Sequence, residues 1–332
     1  MEKIDHPTVS QFTDIALHAL EKYDLVIRDV TFLQHSENVT FKISTPGDPY
    51  LLRLHVPLTR GMGTHGVDPQ VIRSEMLWLE SLRRNKLPVP RSVRNNLGEM
   101  VTRVNDANKR PVNCTVLEWL EGDLYTREME TEDSVAQIGS LVGRIHLHAS
   151  RWRLPRGFQR PRRDAVYFVN VLESLQPAVD DGRIHYQDFK TLQTSILGLA
   201  EVIQTMRKSR NTQGLIHGDL HRGNFLNRQG EIRLIDFSLC AFGHFTYDLG
   251  TCLSNVNPDL HSIFLINYDR LLPLPNNYDR LIEGFFIASY VVTFSFWMEN
   301  PDAQEILVQR VPYIAQEFAT RFNRDERFWF KG

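Results

Sequence analysis

Cysteine is scarce in this chain, with only Cys114, Cys240 and Cys252 in 332 residues. The three sit in apolar contexts and form neither a C-x-x-C pair nor an even-numbered framework. That excludes a disulfide-built domain, argues against structural zinc, and places the chain in a reducing compartment, the cytoplasm. Net charge is small as well. Lys and Arg number 38 against 40 Asp and Glu, leaving −2, so no global field draws the chain to nucleic acid or an anionic membrane. Long apolar runs are missing. The most apolar stretch, Phe285 to Met298, is too short to span a bilayer and carries Ser, Thr and Tyr, so it reads as a buried helix. The N-terminal Met1-Glu2-Lys3-Ile4-Asp5-His6-Pro7 is charged and lacks the apolar core of a signal peptide. No internal repeat or low-complexity tract interrupts the sequence. At 42% hydrophobic and 23% charged, the composition is that of a soluble globular protein long enough for two lobes.

What is present is concentrated in one stretch, Leu215-Ile216-His217-Gly218-Asp219-Leu220-His221-Arg222-Gly223-Asn224-Phe225-Leu226. A strand expected over Glu231 to Asp236 follows it and ends in Ile235-Asp236-Phe237-Ser238. Asp219 and Asn224 are five apart, and Asp236 lies twelve further on. H-x-D-x-x-x-x-N followed by a strand and D-F-x is the spacing of a kinase catalytic loop and metal-binding loop.

Upstream, hydrophobic periodicity predicts a helix over Thr8 to Tyr23. Strands are predicted over Val26 to Leu33, Val39 to Ser44 and Tyr50 to His55. The turn Gln34-His35-Ser36-Glu37-Asn38 has no glycine, so a phosphate there would be met by the Ser36 hydroxyl, the Asn38 amide or backbone N–H groups. Gly61-Met62-Gly63-Thr64-His65-Gly66 matches G-x-G-x-x-G literally. Its first glycine lies six positions past the end of the preceding strand, and no acidic residue ends a following one, so it reads as a surface loop. Asp68-Pro69 opens a helix, Asp68 as N-cap and Pro69 at its first position. Glu75 lies on the apolar face of that helix with Ile72 and Leu79, and Arg53 stands among Leu51, Leu52 and Leu54. Each is costly alone in a core-facing position, and their meeting as an ion pair is the economical explanation. Two further strands, Glu99 to Val104 and Asn113 to Leu120, lead to a break at Glu121-Gly122.

Downstream the pattern is helical: Thr131 to Ala149, Val166 to Gln176, Gln187 to Arg207, a helix opening at Tyr247-Asp248, then Asn277 to Met298 and Ala303 to Phe322. His146 and His148 receive no role. The run Arg151 to Arg163 holds six arginines. It reads either as a patch for an anionic partner or as a solvated loop, and the balanced charge elsewhere favours the loop. The aromatic tail Arg327-Phe328-Trp329-Phe330 is placed against the helical part.

A strand-rich lobe with one helix, a hinge, and a helical lobe carrying H-G-D-x-H-x-x-N and I-D-F together resemble the aminoglycoside phosphotransferase and choline kinase-like family. These are small-molecule relatives of protein kinases. The likeness is strongest from Ile216 to Gly250, and His217-Gly218-Asp219 with His221 separates it from the His-Arg-Asp of protein kinases. Arg53 and Ser238 depart from the protein-kinase Lys and D-F-G, and no A-P-E segment precedes the last helices. The resemblance implies an α+β, bilobal, protein-kinase-like fold, with residues 1–120 as nucleotide-binding lobe and 121–332 as helical lobe. It implies Asp219 as catalytic base, Asn224 and Asp236 as Mg2+ ligands, and Arg53 steering the phosphates, oriented by Glu75. Backbone groups near Glu118 and Leu120 would meet the adenine. His217 would buttress the loop, and Asp248 would brace a loop or start a helix. A zinc pair of His217 and His221 lacks a third ligand. The implied activity is ATP- or GTP-dependent transfer to a hydroxyl of a small molecule. A protein kinase of the same fold and a catalytically silent nucleotide-binding scaffold are the rival readings.

Overall fold

The computed structural model describes residues 9–36, 38–57, 67–206, 209–299 and 304–330. The Gly61–Gly66 loop singled out in the sequence lies outside them. The chain divides into two units: Met1–Glu121 with Pro155–Gln159, and Gly122–Leu154 with Arg160–Gly332.

Alternating side chains build the first unit. Its antiparallel sheet comprises β1 (Asp29–His35), β2 (Val39–Ser44), β3 (Tyr50–Leu54), β4 (Ser92–Val93), β5 (Thr102–Asn105) and β6 (Pro111–Glu118). The strands run in the order β1-β2-β3-β6-β4, with β5 also on β6. Val39, Phe41 and Ile43 of β2 point to one face, where α1 (Val9–Leu20) buries Phe12, Ile15, Ala16 and Leu20 against them. Arg53 sits opposite Thr40 on β2 and Thr115 on β6, and its side chain is met by α2 (Pro69–Arg84). Asp68 caps α2 by accepting from Gln70 N at 2.7 Å, with Pro69 at the first turn.

Two strands start later than read. Val26 and Ile27 have β propensity but precede the partner strand: pairing starts at Asp29 opposite Ser44, Val26 is 70% exposed, and a bulge between Phe32 and Gln34 carries β1 on to His35. Glu99 is held in a turn by Asn95, whose side chain accepts from the Leu97 and Glu99 amides, so β5 begins only at Thr102.

The second unit is mostly helical. Its helices are α3 (Glu132–Arg151), α4 (Ala165–Glu173), α5 (Gln176–Asp180), α6 (Tyr186–Thr205), α7 (Phe245–Leu253), α8 (His261–Asp269), α9 (Tyr278–Glu299), α10 (Gln304–Tyr313) and α11 (Thr320–Asn323). Its short strands are β7 (Asp123–Leu124), β8 (Arg162–Arg163), β9 (Gln213–Ile216), β10 (Phe225–Arg228), β11 (Glu231–Leu234) and β12 (Ala241–His244). They form two three-stranded sheets, β11-β10-β7 and β8-β12-β9. A Thr131/Ser134 capping box starts α3. The single helix read over Ala303 to Phe322 is interrupted: Pro312, which has no N–H to donate, precedes a π-helical turn at Ile314–Ala319. The last helical reading before it holds, since α9 carries the apolar run. By length and composition α9 could cross a bilayer, yet its window is mostly buried within the protein. Glu283 in its second turn is fully buried and accepts from the Phe328 and Trp329 amides, both at 2.8 Å, so the aromatic tail docks on α9.

Candidate active site

In the second unit, the loop from His217 to Asn224 leaves β9 and enters β10. Antiparallel pairing of Phe225 with Leu234, extended by the Ile235 N–H to Asn224 C=O bond at 2.9 Å, sets Asn224 opposite Ile235. Asp236 is the next residue, so the hairpin carries two oxygen-bearing side chains, twelve apart in sequence, to one end.

Asp219 lies across from them. The Asn224 amide Nδ2 donates to both the Asp219 backbone oxygen (2.8 Å) and its Oδ2 (2.9 Å), and His221 Nε2 lies 3.3 Å from the same Oδ2. Burial alone would raise this carboxyl. The His221 hydrogen bond and the charges around it, the Arg163 cation among them, outweigh burial and hold it below its ordinary value of 3.8. The group is therefore ionised at neutral pH. Because Nδ2 of Asn224 faces Asp219, its amide oxygen is the atom left for another partner.

The backbone around Asp219 is fixed by buried polar groups. The Asp219 N–H donates to His217 Nδ1 at 3.2 Å, which makes that nitrogen an acceptor and requires the ring to donate from Nε2, 3.0 Å from the Ile235 carbonyl. Burial lowers the His217 pKa, favouring this neutral form. Both ring nitrogens are thus committed, and a zinc pair with His221 has no free ligand here. Asp248, fully buried in α7, accepts from His217 N (2.7 Å), Gly218 N (2.8 Å) and His146 Nε2 (3.0 Å), and His146 is held in turn by Tyr268. Asp248 braces the loop, and His146 becomes part of that bracing. Gly218 has φ +83°, and a Cβ there would collide with the Leu239 carbonyl. Asp236 has φ +59° without being glycine, and its Oδ1 accepts from Ser238 N at 3.2 Å.

The arginine run is neither an open patch for an anionic partner nor wholly a solvated loop. Arg163 is 6% exposed and donates to the Gly218 carbonyl and to the Tyr247 hydroxyl (2.7 Å). Arg160 donates to the carbonyls of Ser238 (2.5 Å) and Cys240 (2.6 Å). Nothing in the charge pattern separates these two from exposed neighbours such as Arg151 and Arg153.

In the first unit Arg53 Nη2 meets Glu75 Oε1 at 2.6 Å, with side chains only 3% and 2% exposed. The two charges are paired within the interior, as a buried carboxylate and guanidinium require. Ser36 N donates to Asn38 O across the β1–β2 turn, and Asn38 itself is buried. Around the backbone expected to meet an adenine, the Glu118 N–H donates to the Arg91 carbonyl at 2.8 Å and the Trp119 N–H to the Pro49 carbonyl at 3.1 Å. Leu120, which follows, is partly exposed.

A family model described as the phosphotransferase enzyme family matches residues 29–281. Among curated proteins, amicoumacin kinase of Bacillus subtilis (strain 168) is 24% identical over 243 residues, covering 73% of this chain and 67% of that protein. A solved microcompartment-associated aminopropanol kinase superposes with TM-score 0.80 at 22% identity, covering 96% of this chain and all of the other. An amicoumacin kinase in complex with AMP-PNP, Ca2+ and Ami gives TM-score 0.74 at 20% identity, with 95% and 94% covered. The fold is the α+β, protein-kinase-like one of these small-molecule kinases. The match spans both the sheet that holds Arg53 and the loops that hold Asp219, Asn224 and Asp236, and the chain belongs to the phosphotransferase enzyme family.

Proposed function

We propose that the chain transfers the γ-phosphate of ATP to a hydroxyl group of a small molecule. The observation that carries this reading is the hairpin that carries Asn224 and Asp236 to one end, with Asn224 bonded through its nitrogen to Asp219 in the preceding loop. Asp219 accepts the hydrogen bond of the acceptor hydroxyl and takes its proton late in transfer, a task that needs an ionised, oriented carboxylate more than a strong base. The donor set suits Mg2+: the Asn224 amide oxygen and the Asp236 carboxylate are hard oxygen ligands. What Mg2+ supplies when bound is neutralisation of charge on the nucleotide phosphates. Arg53, fixed by Glu75, is the residue this reading assigns to the nucleotide phosphates. The complete Asp219, Asn224, Asp236 set disfavours a silent scaffold.

The aminopropanol kinase among the solved structures suggests an amino alcohol as acceptor, and the amicoumacin kinases suggest a compound of the amicoumacin kind. The assay is transfer of label from γ-labelled ATP, with GTP as competitor, across a panel of amino alcohols and antibiotics with and without Mg2+. Asp219→Asn should reduce turnover by about 10³-fold or more while AMP-PNP binding stays within about two-fold. Turnover near wild type in that variant would remove Asp219 from the assigned role.

A further inference from the structure

The geometry points to Arg160 and Arg163 as positioning residues for the phosphoryl transfer proposed above, on which this inference rests. Three residues apart on the extended segment that enters β8, they hold the carbonyl groups of the catalytic and metal-binding loops.

Consider the peptide bond that leads into Asp219. Its N–H is held by His217 Nδ1 and its C=O, that of Gly218, by Arg163. The preceding peptide is held at its N–H by Asp248. The plane that aims the Asp219 side chain is thus fixed at both polar ends. Arg163 reaches it from the interior, its guanidinium stacked 5.0 Å from the Tyr247 ring and bonded to that hydroxyl. A guanidinium this buried is costly, and any of the exposed arginines of the run would serve charge balance without that cost. Arg160 acts on the other loop. Asp236 holds a left-handed conformation, which persists only where the surroundings enforce it. Two to four residues beyond it, Arg160 Nε takes the Cys240 carbonyl and Nη2 the Ser238 carbonyl. Two different nitrogens make these bonds, so the fork of the guanidinium is used; Arg163 makes both of its bonds from Nη1 alone.

That difference gives the test. Arg160→Met, Arg160→Lys, Arg163→Met and Arg163→Lys are prepared in the full chain, and folding is checked by circular dichroism and thermal melting. Mn2+ binding in the presence of AMP-PNP is read by electron paramagnetic resonance, and kcat and KM are measured with the best acceptor from the panel. Arg163→Met should lower kcat about 10- to 100-fold with KM for ATP and Mn2+ affinity within about two-fold. Arg163→Lys should recover part of the loss, because an ammonium can replace the donations of one nitrogen but not the stacking on Tyr247. Arg160→Met should weaken Mn2+ binding about 10-fold, and Arg160→Lys should not restore it, because an ammonium cannot reproduce the fork. Should Arg163→Met fail to fold, Tyr247→Phe, which frees the same guanidinium on one side, should lower kcat several-fold with Mn2+ affinity unchanged. Folded variants with wild-type kcat and wild-type Mn2+ binding overturn the inference alone. A wild-type protein that binds neither Mn2+ with AMP-PNP nor transfers phosphate overturns the phosphotransferase reading and this inference with it.

Discussion

Gly218 and Asp236 occupy left-handed backbone space for different reasons. Gly218 has no room for a side chain, since a Cβ would strike the Leu239 carbonyl. Asp236 has a side chain and takes the strained conformation anyway, held by Ser238 N on its own carboxylate. Gly218→Ala should therefore cost turnover more than stability: about 100-fold in kcat, with a melting shift of several degrees. The opposite split is expected at the Arg53–Glu75 pair. Arg53→Met leaves Glu75 buried without its partner and should destabilise by roughly 3–5 kcal/mol, whereas Arg53→Met with Glu75→Leu should recover much of that while AMP-PNP affinity stays low. Chemical denaturation and AMP-PNP titration of the two variants separate the effects. This pair was legible in the sequence because each charge broke an apolar pattern. Arg163 was not, because a buried arginine inside a charged run breaks no pattern. The bracing by His146 was equally hidden, since its partners Tyr268 and Asp248 lie 122 and 102 residues away.

At the scale of elements, periodicity located α3 and α6 closely, because their buried faces recur at helical spacing, and an unbroken apolar run located α9. It misplaced β1, whose limits come from its partner strand, and it missed the break after Pro312. It also showed the tail meeting the helical part without showing how. Glu283 settles that on α9 by accepting two tail amides. Burial raises this carboxyl above its ordinary 4.5, against the tail hydrogen bonds that lower it. The folded state then binds the proton more tightly than the unfolded chain, so stability falls as pH rises from about 4.5 through the raised value. Glu283→Gln keeps an oxygen acceptor for the tail and removes the titration. Its melting temperature should exceed wild type at pH 8 and match it near pH 4.5, and equal pH dependence in the two proteins would rule out Glu283 as the source.

For the whole molecule, ligand linkage gives the simplest check on the phosphotransferase reading. AMP-PNP with Mg2+ at about 100 times its dissociation constant should stabilise the chain by about 2.7 kcal/mol, and Asp236→Ala should lose most of the Mg2+-dependent part. The three cysteines offer a view of the molecule from a different direction. Cys114 belongs to the first unit and Cys240 and Cys252 to the second, and all are buried. Burial pushes the Cys114 thiol up to about 12 and the Cys252 thiol higher still, so neither presents a thiolate at neutral pH. An alkylating reagent such as iodoacetamide therefore finds no target until a unit opens. Labelling each thiol over time, read by peptide mass spectrometry, would act as a separate clock for the opening of each unit. A nucleotide that tightens one unit would slow its own clock and leave the other running.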